Sequence, residues 1–152
     1  MDSSQNIPDM YVYEIKNSFE KTLFLLVEKI YNSDKSCIIY SGLQDRIESY
    51  DQMLWTFKKI SFIPHMIVGE EFYEKNKILL SSEFNDNFAN FDNVILLDNY
   101  GLHKKIPTKG RIIFLVHEKD AIANESLLKE LEGYKFKYFR EKKDSTWEVI
   151  TN

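Results

Sequence analysis

The chain has 152 residues, 43% hydrophobic and 29% charged, with five glycines and three prolines, the size and mixture of one globular domain rather than of a fibre or a disordered tail. Its single Cys37 excludes an internal disulfide, and its longest uninterrupted apolar runs, at 23–27 and 112–116, are five residues where roughly 20 are needed to span a bilayer. Twenty basic against 24 acidic residues leave a formal charge of −4, which argues against a general binder of phosphate backbones, whose affinity comes from many lysines and arginines displacing counterions.

Residues 1–9 are mostly polar and are expected to form a flexible leader, with residues 10–152 as a single domain. No basic start followed by an apolar run and a cleavage site precedes it, so the expected location is cytoplasmic. Met10–Ile15 alternates and is rich in Tyr, Val and Ile, which predicts a strand. Asn17 with Glu20 three residues on predicts a capped helix start. The apolar residues Phe19, Leu23, Leu26, Val27, Ile30 and Tyr31 then recur at helical spacing until Asn32 and Ser33 end the helix. Cys37–Tyr40 reads as a strand, Gly42 as a turn, and residues 43–57 as a second helix. Residues 58–70 are strongly apolar but broken by Pro64, neither a clean helix nor a clean central strand. Short strands are predicted at 78–80, 94–97 and 111–116, a brief helix over 121–132 capped by Gly133, and a terminal hairpin from strands at 134–140 and 146–150.

Strands that are apolar on both faces, separated by amphipathic helices, imply an α/β fold. The expected architecture is a Rossmann-like three-layer domain with a largely parallel central sheet and an antiparallel C-terminal hairpin edge. A dinucleotide site would need glycines in the first strand-to-helix turn, where the sequence has Lys16, Asn17 and Ser18, and no cofactor is expected. Nor do the five glycines supply a P-loop. His65, His103 and His117 are too far apart in sequence to pair on one helix face, so no metal is assigned. Cys37, inside an apolar run, reads as a small buried side chain. The paired acids Asp45 and Glu48, Glu70 and Glu71, and Glu83 and Asp86 sit among polar residues and read as solvated rather than catalytic.

The charge is unevenly spread. Residues 1–98 hold 9 Lys and Arg against 16 Asp and Glu, whereas residues 99–152 hold 11 against 8. If the basic segments 99–117 and 134–143 meet, a local positive patch forms on an acidic protein.

The segment Leu54-Trp55-Thr56-Phe57, followed by Ser61-Phe62-Ile63-Pro64-His65 and preceded by Asp51, resembles the signature of the chi subunit of bacterial DNA polymerase III. The opening strand from Met10, the apolar runs at 78–80 and 93–98, and the closing stretch from Gly133 to Phe139 with Trp147 resemble further blocks of that family, in order. The resemblance implies a non-catalytic accessory of the replicative clamp loader with a Rossmann-like fold and no nucleotide site. It also implies two partners: a psi-type clamp-loader subunit and the acidic C-terminal tail of the single-stranded DNA-binding protein.

For the psi side the resemblance points to Trp55, Phe62, Pro64 and His65, bulky and rigid groups of the kind that dominate interfaces. For the tail side one alignment puts Lys129, Tyr134 and Lys135 on the family's last helix. A second anchors Gly133 and moves Tyr134 and Lys135 into the following strand, which suits the alternation of 134–139 better. Lys137, Arg140 and Arg111, with Lys104 and Lys105, complete the candidate basic rim. No direct DNA binding and no membrane contact are expected. Two other classes remain. A small α/β enzyme or nucleotide binder would show a deep polar pocket at the carboxyl ends of the strands. A single-strand binder would show aromatics and lysines together on an open strand surface.

Overall fold

The computed structural model describes residues 9–56, 65–67, 77–83, 86–98, 106, 109–123 and 131–150. In chain order the elements are β1 (Met10–Ile15), α1 (Phe19–Asn32), β2 (Cys37–Tyr40), α2 (Gln44–Thr56), β3 (His65–Ile67), β4 (Ile78–Ser81), β5 (Asn93–Leu96), β6 (Arg111–His117), α3 (Glu118–Ala123), β7 (Phe136–Glu141) and β8 (Trp147–Ile150), with 3₁₀ turns at Asp86–Asn90 and Leu131–Gly133. The strands form one sheet in the order β3-β4-β2-β5-β6-β1-β7-β8. Every neighbouring pair is parallel except β7 with β8. The expected α/β fold with a parallel core and an antiparallel hairpin edge is the one observed.

Alternation along the strands sorts the core into two layers, because successive side chains leave a strand on opposite faces. On one face, Ile15, Cys37, Ile39, Ile78, Leu80, Ile95, Ile113 and Leu115 pack under the apolar stripes of α1 and α2. On the other, Met10, Val12, Ile38, Leu79, Val94, Leu96, Ile112 and Phe114 pack under Phe88, Ile106 and Leu131. Below, these are the helical face and the opposite face.

Two local expectations, both at helix starts, are corrected. The N-cap of α1 is Ser18, whose hydroxyl accepts from the Lys21 amide at 3.1 Å. Asn17 is instead tied to the C-terminal hairpin, its side-chain amide donating to Ser145 Oγ at 3.2 Å and its backbone amide to Glu141 Oε1 at 3.0 Å. The helix expected over 121–132 begins at Glu118, directly after β6, where His117 Nδ1 accepts from the Lys119 amide at 3.1 Å and the acids Glu118 and Asp120 suit a first turn. Gly133 closes the 3₁₀ turn Leu131–Gly133, with the Tyr134 amide donating to the Leu131 carbonyl. Residues 124–130 lie outside the described residues, as do residues 1–8, most of the predicted leader.

The close of α1 was legible. After Ser33, Asp34 takes a left-handed φ of 60°, its amide donates to the Tyr31 carbonyl and that of Lys35 to Ile30, the paired bonds of a Schellman motif.

Candidate functional site

Parallel α/β sheets bind ligands beyond the carboxyl ends of their strands, where helix-start amides point outward. Here amides of the turns that lead into α1 and α2 are engaged by the protein's own side chains. After β2, Gly42 donates its amide to Asp98 Oδ2 at 3.2 Å, and the fully buried Ser41 donates its hydroxyl to the same oxygen at 2.5 Å while accepting from the Leu43 amide. Arg46 Nη1 stands 3.9 Å from that carboxylate. After β1, the amides of Lys16 and Asn17 both donate to Glu141 Oε1 at 3.0 Å. Lys16 Nζ bonds Glu118 at 2.9 Å and holds that carboxyl below its usual range. The protein's own carboxylates thus occupy the β1–α1 and β2–α2 turns.

Asp45 and Glu48 are exposed on α2, and Cys37 is fully buried in an apolar layer that pushes its thiol pKa well up. Among the described residues no group of three or more His, Cys, Asp or Glu is placed to hold a metal, and no helix is long and apolar enough to cross a membrane.

Of the residues assigned to a psi-type contact, Trp55 lies in the last turn of α2 and His65 opens β3. The helix packs along β3 and β4, so both belong to the β3 edge of the sheet. Their side chains, and all of Phe62 and Pro64, lie outside the described residues. Leu54, beside Trp55, is buried in the core.

The tail-side set is divided by the pleat of β7. Lys137 and Arg111 fall on the helical face, on either side of Tyr11: Tyr11 is in register with Lys137, and the Arg111 guanidinium stands 5.9 Å over the Tyr11 ring. The two basic segments therefore do meet, across β1. Arg140 points to the opposite face, where its Nε donates to Glu14 Oε2 at 2.7 Å. Tyr134 is half-buried against the opposite layer, its hydroxyl pKa raised by burial. Lys135 is exposed beside Asp9, and Lys129 lies outside the described residues.

The structure adds a feature that the sequence reading did not contain. Between α1 and the C-terminal hairpin lies a groove of about 470 Å³, bordered by Lys21, Leu25 and Lys29 of α1, Tyr13 of β1 and Trp147 of β8. Tyr13 stacks on Phe139 with ring centroids 4.9 Å apart and meets Trp147 edge-on at 5.4 Å. The available signal was Leu25, an apolar residue one third of a turn off the buried stripe, flanked at i−4 and i+4 by lysines.

A protein-family model described as DNA polymerase III chi subunit, HolC, matches residues 9–135. A search of curated proteins finds no match. Among solved structures, the chain is similar to Mss116p DEAD-box helicase domain 2 bound to an RNA duplex, at 17% identity and a TM-score of 0.52, over 90% of this chain and 66% of that one. It is also similar to the C-terminal domain of S. cerevisiae Dbp5 bound to Gle1 and IP6, at 15% identity and a TM-score of 0.52, over 88% and 89%. At these identities the likeness is one of fold.

Proposed function

The chain belongs to the DNA polymerase III chi subunit family, and from that premise we propose that it serves the replicative polymerase as a cytoplasmic, non-catalytic bridge. One side holds a psi-type clamp-loader subunit; another holds the acidic tail of the single-stranded DNA-binding protein. Residues 10–152 act as one unit in this reading, with no cofactor.

The observation that carries the reading is the occupied crest. Asp98 and Glu141 take the outward amides of the β2–α2 and β1–α1 turns, so the positions where a nucleotide-binding relative of this fold would seat phosphate are used to tie the protein together. A molecule built this way works by contact. Trp55, Phe62, Pro64 and His65 supply the clamp-loader side, since bulky, rigid groups lose little freedom on docking. For the tail, Lys137 and Arg111, which flank Tyr11 on one face, are the members of the basic set best placed to act together, with Lys135 just before the strand that carries Lys137.

The test is reconstitution. Purified protein should capture a clamp-loader subunit and intact single-stranded DNA-binding protein. Trp55→Ala with Phe62→Ala should lose the first while keeping the second, and deletion of the partner's acidic tail should do the reverse. Unchanged capture by the double variant, with the fold intact by circular dichroism, overturns the assignment.

A further inference from the structure

Odd-numbered residues of β1, β7 and β8 leave the sheet on the helical face. Tyr11 and Tyr13 come from β1, Lys137 and Phe139 from β7, and Trp147 and Val149 from β8. α1 packs over β6, and this end of the face stays open: Trp147 is 37% and Val149 50% exposed, Lys137 is exposed, and Tyr11, Tyr13 and Phe139 are half-buried. Tyr13 and Phe139 stack with ring centroids 4.9 Å apart, which fixes the middle of the row. Trp147 meets Tyr13 edge-on at 5.4 Å, and its exposure leaves part of the indole to a ligand.

Cations alternate with these rings. The Arg111 guanidinium stands 5.9 Å over Tyr11 and Lys137 Nζ 5.3 Å over Phe139. Lys21 and Lys29 of α1 border the groove that Tyr13 and Trp147 also line. The one carboxylate lining that groove, Glu141, is buried and accepts from two backbone amides. The formal charge of −4, on which the expectation of no direct DNA contact rests, is a sum over the whole chain. On this face the charge is positive and gathered around aromatic side chains.

We propose that the open β1–β7–β8 face is a contact site for single-stranded DNA. Bases and phosphates alternate along such a strand as rings and cations do here, and stacking beside a cationic track is how proteins hold single strands. Tyr11 is in register with Lys137, and Trp147 with Glu141, four residues further along β7. With two strand spacings sideways, Tyr11 and Trp147 lie roughly 16 Å apart, a span for about four nucleotides. A duplex keeps its bases paired and stacked, out of reach of the rings.

The assignment rests on reading the chain as a docking subunit. Few cations give a low intrinsic affinity, and a bridge to single-stranded DNA-binding protein holds the face at high effective concentration beside the template. Lys137 and Arg111, offered above to the acidic tail, lie within this surface, so tail and strand compete for it in part. Tyr13, Trp147, Lys21 and Lys29 serve the strand alone.

The full chain is titrated with a fluorescent 20-nucleotide oligothymidylate, a 20-base-pair duplex, and a peptide of four acidic residues followed by Leu-Phe. The oligothymidylate should bind at low salt, its log affinity falling with log salt at a slope of about −2 to −3 for three or four phosphate contacts. It should bind at least about tenfold tighter than the duplex. Stacking should quench Trp147; Trp55 is the only other tryptophan, so Trp147→Phe should remove the quench. Trp147→Ala, and separately Lys21→Gln with Lys29→Gln, should weaken binding about tenfold or more with the helical signal unchanged. All three side chains are exposed, so these variants probe the face and not the core. Absent binding at low salt, equal binding of the duplex, or unchanged affinity in the variants overturns the proposal. So does an acidic peptide that displaces the oligonucleotide and loses affinity in Trp147→Ala, which would make the face a peptide site. Clamp-loader capture, measured on the same proteins, should not change. Absent capture by the wild type with oligonucleotide binding intact defeats the bridge and leaves the strand site standing.

Discussion

The Tyr138 hydroxyl donates to Glu14 Oε1 at 2.7 Å, and the Arg140 guanidinium, from the next residue on the same face of β7, donates to the other carboxylate oxygen at 2.7 Å. A buried acid on β1, 6% exposed, thus has both oxygens satisfied by the strand that pairs with it, and the parallel β1–β7 register is fixed by side chains as well as backbone. Tyr138→Phe should cost about 1–3 kcal/mol, since it removes one bond to a buried charge, and Glu14→Ala a similar amount by leaving the buried Tyr138 hydroxyl unpaired, the half-exposed Arg140 turning to water. Urea denaturation measures both. Losses below about 0.5 kcal/mol would show that the network is ornamental to the pairing.

The same contact makes stability fall in alkali. Burial, with the Glu14 hydrogen bond second, raises the Tyr138 pKa above its ordinary 10.0. The folded state therefore keeps a proton that the unfolded chain releases, so the contribution is complete below pH 10 and fades as pH rises above it. Each pH unit in that window removes about 1.4 kcal/mol for one such group. Burial also raises the hydroxyls of Tyr13, Tyr40, Tyr50 and Tyr134. Unfolding at pH 8.5 and 10.8 should show a steeper loss for the wild type than for Tyr138→Phe; parallel losses would remove Tyr138 from the account.

Asp98 holds the start of α2 through Gly42 and Ser41. Asp98→Ala should destabilise by about 1–3 kcal/mol through the unpaired buried Ser41 hydroxyl and the freed amide. It should not weaken clamp-loader capture once the protein is folded. A capture defect in a variant of normal stability would place Asp98 in a binding surface.

Two glycines should respond oppositely to alanine. A Cβ on Gly110 would collide with the Asp92 carbonyl, which accepts from the Arg111 amide at 3.0 Å, whereas one on Gly133 meets nothing within 4 Å. Gly110→Ala should cost about 2 kcal/mol or more by forcing backbone apart, and Gly133→Ala should stay within about 0.5 kcal/mol. Thermal melts of the pair decide, and equal melting temperatures would refute the packing argument.

Cys37 should resist thiol reagents in the native state, because burial raises its pKa and removes the thiolate. Labelling should proceed only with unfolding, tracking denaturant. Rapid labelling of folded protein would contradict its place in the core.

Much of the fold was legible in the sequence because strand alternation and helical spacing are local properties. Met10–Ile15 and Cys37–Tyr40 begin and end where their apolar patterns do, and burial on both faces announced a covered parallel sheet. The misplaced features are those settled by distant partners: the α1 cap falls to Ser18 while the Asn17 side chain is drawn to Ser145, over 120 residues away.

The candidate sites divide in the same way. Sequence by itself determined the α/β class, the missing glycine and metal motifs, and the blocks that place the chain in its family, since each is written in contiguous residues. Which charges act together was decided only by tertiary structure. Inserting β1 between β6 and β7 brought Arg111 and Lys137 to either side of Tyr11, the pleat sent Arg140 away to Glu14, and the hairpin folded Trp147 beside Leu25. Periodicity tells which way a side chain leaves its own strand or helix; only strand order tells what stands next to it.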